Sequence, residues 1–182
     1  MPNEPESQPV ATTYLGVPLL TFLPLFAQYV FKGGVGQYTQ LMACAGAGAV
    51  AGALVVAWLG KVKGMGRTVL ILQVCFGAFV LLFALTQVLW INAVLLFAAA
   101  VCMVMVFSLV ASLVQLVVPN ELRGRVMSIY MVAFRGGMPL GSLVGGYVAT
   151  LASPQMVLTI NGVLLSSVAA WFLLKSHGVR EL

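Results

Sequence analysis

The sequence predicts an all-α membrane protein, a polytopic bundle of six transmembrane helices. Three observations predict it. Hydrophobic residues fill 62% of the chain while Asp, Glu, Lys and Arg supply 7%; soluble domains carry roughly a quarter charged residues, so this chain could not cover its own surface in water. Apolar residues run continuously over stretches of about 20, enough to cross a bilayer core, and the lack of polar–apolar alternation favours helices over a barrel. Basic residues, finally, gather beside the apolar runs rather than forming a polar face, which sets aside nucleic acid as the partner of a net charge of +5.

Taken in order, residues 1–12 form a polar leader with Glu4 and Glu6 and no Lys or Arg, unlike the basic start of a secretory signal. Residues 13–174 carry six apolar runs: Thr13–Phe31, Tyr38–Leu59, Thr68–Leu85, Leu89–Val118, Val126–Leu151 and Met156–Leu174. Turn chemistry separates them at Lys32-Gly33-Gly34, Gly60 to Gly66, Pro119-Asn120-Glu121 and Ala152-Ser153-Pro154. Residues 175–182 form a short tail. Lys61, Lys63, Arg67, Arg123, Arg125, Lys175 and Arg180 alternate onto one side and only Lys32 falls on the other, which places leader and tail in the cytoplasm.

The first run contains Pro18 and Pro24, each of which removes a backbone donor, and Thr21, Pro24 and Gln28 share one helical face. The fourth carries Ser108, Ser112 and Gln115 at positions i, i+4 and i+7. Such stripes either hydrogen-bond neighbouring helices or line a watery cavity. In the second run Gly48 and Gly52 fall on one face, as do Gly137, Gly141 and Gly145 in the fifth. Small residues let backbones approach in lipid, so these stripes imply tight packing, sliding during a transport cycle, or both.

Arg135 lies ten residues past Arg125, roughly 15 Å into a core about 30 Å thick. All four carboxylates of the side chains, Glu4, Glu6, Glu121 and Glu181, fall outside the runs. A guanidinium at that depth needs backbone carbonyls, an anionic ligand or a carboxylate from another polypeptide. At 100° per residue Arg135, Pro139, Ser142 and Gly146 share a face distinct from that of Gly137, Gly141 and Gly145.

Three stretches resemble the C-terminal half of major facilitator superfamily transporters, closest to the drug and enterobactin exporter branch. Val118-Pro119-Asn120-Glu121-Leu122-Arg123-Gly124-Arg125-Val126-Met127-Ser128, continuing to Phe134 through Gly141, is similar to the loop between their tenth and eleventh helices. Leu15-Gly16-Val17-Pro18 through Ala27 resembles the seventh helix. Gly60 through Arg67 resembles the basic loop after the eighth, with Gly60 about where the family has an acidic residue. The resemblance implies a central cavity lined by the first and fourth runs, and second and fifth runs facing a complementary half. It also implies a truncated or split transporter half that moves a small molecule outward across the cell inner membrane. The partner it calls for, besides lipid, is a complementary six-helix half or a second copy.

A rival reading is a non-transporting membrane scaffold or the relic of a broken transporter gene. Enzymatic chemistry finds no support: His177 is the only histidine, and no run contains Asp, Glu or His for acid–base work. Cys44, Cys75 and Cys102 fit no metal-ligand spacing, and no phosphate-binding loop is present. No cofactor and no metal are expected.

Overall fold

The computed structural model describes residues 23–24, 35–60, 64–151 and 154–175. Among these the chain is helical: α1 (Val35–Leu59), α2 (Met65–Leu85), α3 (Leu89–Val117), α4 (Arg123–Leu151) and α5 (Pro154–Lys175). They match the last five predicted runs in order, with ends displaced by a few residues. The largest displacements are at the starts of α1, α2 and α4, which open at Val35, Met65 and Arg123 rather than Tyr38, Thr68 and Val126. The first run lies outside the described residues except Leu23 and Pro24. Leu23 is helical and wholly buried in the same core as residues of α1, α2, α3 and α5.

Glycine ends α1 and opens α2. Gly60 and Gly64 take φ of 59° and 72°, a left-handed conformation that a Cβ would strain. Only three residues join α2 to α3, and this turn is held from inside the bundle. Asn92 is wholly buried and its amide donates to the Thr86 carbonyl at 2.7 Å. The Thr86 hydroxyl donates back to Leu82 O at 2.8 Å, so the last carbonyls of α2 are partly served without water. Replacing Asn92 with Ala is expected to destabilise the protein by about 1–3 kcal/mol, because it strands that carbonyl and opens a cavity. Hydrogen exchange localised to the α2–α3 turn checks it; an unchanged rate there would show the amide to be idle.

Packing runs in a row, α1 on α3, α3 on α2 and α2 on α5, and among the described residues α4 meets α3 and α5 through a few residues. Glycines set two of the three close crossings. A Cβ on Gly48 would strike the Phe97 carbonyl, and one on Gly52 would lie 2.7 Å from the Val101 carbonyl oxygen. Both steps advance by four residues on each helix, so α1 and α3 run parallel. At the second crossing a Cβ on Gly162 would lie 2.9 Å from Leu81 N and 3.0 Å from Gly77 O. A Cβ on Gly77 would meet Ser166, and these numbers run in opposite senses, so α2 and α5 are antiparallel. Backbones this close maximise dispersion contact where lipid offers no hydrophobic drive. Phe76, Val80, Phe83, Leu96, Leu158 and Leu165 fill the space between helices and are all but inaccessible.

The Gly48–Gly52 stripe therefore differs from the expectation that it faces a complementary half. It is buried inside this bundle against α3, because only glycine tolerates the Phe97 and Val101 carbonyls at that distance. Among the described residues, four helices are long and apolar enough to cross a membrane: α1, α2, α3 and the stretch Gln155–Leu173 of α5. Along α4, predicted as an apolar run, stand Arg135, Pro139 and several glycines.

Candidate functional site

Among the exposed helix faces, those of α1 and α4 differ in chemistry. On α1 the exposed large side chains include Val50, Leu54, Val55 and Trp58, an apolar surface suited to acyl chains. On α4 the exposed positions Val132, Arg135, Pro139, Leu143 and Tyr147 recur at steps of three and four, one helical stripe. Val132, Leu143 and Tyr147 are each about 70% accessible, at 73%, 69% and 70%, so the stripe is uncovered along most of the helix. The other side of α4 reaches the bundle through Tyr130, which packs against Val69, Val106, Leu109 and Val110.

Arg135 sits in the middle of that stripe. It lies twelve residues beyond Arg123, roughly 18 Å along a helix about 43 Å long. It is exposed and makes no ion pair or hydrogen bond with a described residue. Pro139 lies inside the helix and four residues later; lacking an N–H, it cannot donate to the Arg135 carbonyl. One position of the stripe thus presents a guanidinium with five donors together with a carbonyl lacking its helical donor. An acceptor, above all a planar oxyanion, is the group that this spot can bind.

The remaining predicted residues fall in three places. Ser108 and Ser112 are half-buried on α3, and the Ser112 hydroxyl donates to the Ser108 carbonyl at 2.9 Å. That bond keeps the hydroxyl within its own helix; Gln115, near the end of α3, is exposed. Glu121, Arg123, Gly124 and Arg125 are all exposed around a turn in which Leu122 N donates to Pro119 O at 3.0 Å. Arg123 and Arg125 occupy the first turn of α4, where the helix dipole disfavours cations, so helix stability is not what places them there. Pro24 is exposed. Pro18, Thr21 and Gln28 lie outside the described residues. Gly137, Gly141 and Gly145 lie on α4, and their surroundings fall outside the described residues too. No group of three His, Cys, Asp or Glu side chains that could hold a metal is found among the described residues.

Sequence reasoning passed over a polar set inside the bundle. Gln73 is wholly buried on α2, and neither its amide oxygen nor its nitrogen has a hydrogen-bond partner. The Ser166 hydroxyl, beside Gly77, is likewise buried and unpartnered. Gln73 and Gly77 are one turn apart, a pairing of amide and lone glycine on one face that was legible; reading only repeated glycines hid it.

Comparison with known proteins adds one finding. The profile of a family described as transmembrane secretion effectors matches residues 11–181, nearly the whole chain. No curated protein and no solved structure matches it.

Proposed function

For a chain that belongs to the transmembrane secretion effector family of the major facilitator superfamily, we propose a role as one six-helix half of a secondary transporter, the C-terminal one, exporting a small molecule across the inner membrane. The observation that carries this reading is the α4 stripe. A multi-pass bundle that needed only lipid around it would not expose a guanidinium at mid-depth on a helix face that is otherwise apolar. Such a helix fits a protein-lined or watery boundary, and in this reading Arg135, with Gln115 and the Ser108–Ser112 turn of α3, lines the path of the substrate. Thr21 and Gln28 of the first run complete the lining. The opposite boundary comes from a complementary half or a second copy, and the chain acts as one half of a unit resembling the drug and siderophore exporters.

Transport rather than catalysis is the function that such a lining serves. The test is retention of ethidium and of a catecholate siderophore by cells stripped of their own exporters and expressing this chain with the N-terminal six helices of a related exporter. Lowered retention is expected. Unchanged retention, with both halves present in the membrane, would favour the scaffold or relic instead.

The proposed orientation makes a separate prediction. Cysteines introduced beside Lys63 and Arg125 are expected to react with a membrane-impermeant maleimide only from the cytoplasm, and one at Ser153 only from outside. Labelling of all three from the same face would defeat the six-span arrangement, with leader and tail in the cytoplasm, that this reading requires.

A further inference from the structure

We propose that the exposed α4 stripe docks a polypeptide of different sequence that carries a carboxylate at mid-membrane depth, and that a second copy of this chain does not serve there. The inference rests on the reading of the chain as one half of a transporter and names the chemistry of the surface that completes it.

The surface is apolar at Val132 and Leu143 and charged at Arg135, whose carbonyl lacks the helical donor that Pro139 cannot supply. The planar Arg135 guanidinium offers five N–H donors and no acceptor. The helix that bears it therefore needs a negative or strongly accepting group against this spot. Within the chain the nearest carboxylate in sequence is Glu121, fourteen residues away at the Arg123 end of α4, about 21 Å along the axis. Glu4, Glu6 and Glu181 lie outside every apolar run.

A second copy fails for a reason independent of docking geometry. Its apolar runs contain no Asp or Glu at all, so none of its membrane faces supplies the counter-charge. A two-fold pairing through α4 would also bring two guanidinium groups to the same depth, where the low dielectric strengthens their repulsion. The occupant must differ in sequence. The planar fork of Arg135 selects a carboxylate that takes two parallel N–H bonds, and the apolar flanks select a helix whose other residues are aliphatic. The α1 face, with Val50, Leu54 and Trp58 and no charge, lacks this requirement and is left to lipid.

The full chain, labelled with a donor fluorophore in phosphatidylcholine vesicles, tests the assignment by energy transfer to acceptor-labelled poly-leucine peptides of about 20 residues. The peptides carry a single central Glu, Gln or Leu. The Glu peptide is expected to bind at least about tenfold tighter than the Leu peptide. That preference should vanish in Arg135→Leu and in Arg135→Gln, the second variant guarding against a folding defect of the first, and persist weakly in Arg135→Lys. Equal binding of the Glu and Leu peptides to wild type would overturn the proposal. So would a Glu preference that survives Arg135→Leu. Energy transfer between two differently labelled wild-type copies, weakened by Arg135→Leu, would identify the occupant as a second copy. Loss of the Glu preference when phosphatidylglycerol replaces phosphatidylcholine would give the site to a lipid phosphate. Failure of peptide docking with siderophore export intact would sink this assignment alone; docking without export would sink the transporter reading alone.

Discussion

Val in place of Gly52 is expected to lower the melting temperature of the detergent-solubilised protein by about 5–10 °C, corresponding to the 1–3 kcal/mol typical of overpacking. The physical cause is backbone against backbone. A Cβ at position 52 would lie 2.7 Å from the Val101 carbonyl oxygen and 3.1 Å from Val101 Cα, and neither atom belongs to a flexible side chain that could turn aside. Relief requires α1 to back away from α3, which would loosen the contact at Gly48 one turn earlier as well. Gly46 provides the control on the same helix. It is exposed, and nothing lies within 4 Å of the Cβ it lacks, so Gly46→Val should leave melting unchanged, or raise it slightly by replacing a helical glycine. Equal effects at both positions would show that helix propensity, and not the α1–α3 crossing, limits stability.

Replacing Arg135 with Leu is expected to reverse that pattern, with a folded bundle and lost export. The guanidinium has no described partner to lose, and removing an uncompensated charge relieves a desolvation cost, so melting of the isolated chain should hold or rise. Export by the chain with its complementary half should fall at least about tenfold, the smallest loss in keeping with a charge-assisted contact of 1.5–3 kcal/mol. Lys should restore part of it, since it keeps the charge and forfeits the bidentate fork. A clear fall in the melting temperature of the Leu variant would mean that Arg135 holds this bundle together, through carbonyls of its own helices, and would remove it from the substrate path.

These expectations draw unequally on sequence and structure. The helices were legible because lipid removes the choices that make soluble chains ambiguous: a continuous apolar run of about 20 residues has only a helix open to it. Pro119 and the Gly60–Gly64 segment punctuate the runs visibly, and α1 to α5 begin and end within a few residues of where those signals fall. Arg135 stood out by the same logic, as an ion far from any carboxylate in the chain. Its accessible position on α4 follows the helical phase that separates it from Gly137, Gly141 and Gly145.

Sequence alone determined that this protein lives in a membrane, where its helices lie along the chain, and that no apolar run offers Arg135 a carboxylate, because each of these follows from transfer free energy and helical periodicity along one strand of chain. Tertiary structure decided which helices touch. Gly48 and Gly52 could have faced any neighbour, and only the packed bundle assigns them to Phe97 and Val101; the lone Gly77 and Gly162 gained their meaning from each other. The same holds for Asn92, whose amide reaches a carbonyl six residues back only because α2 and α3 fold against one another. Pairing depends on the fit of two surfaces at van der Waals distance, and in lipid, where apolar side chains are at home on every face, no hydrophobic pattern records in advance which surface will meet which.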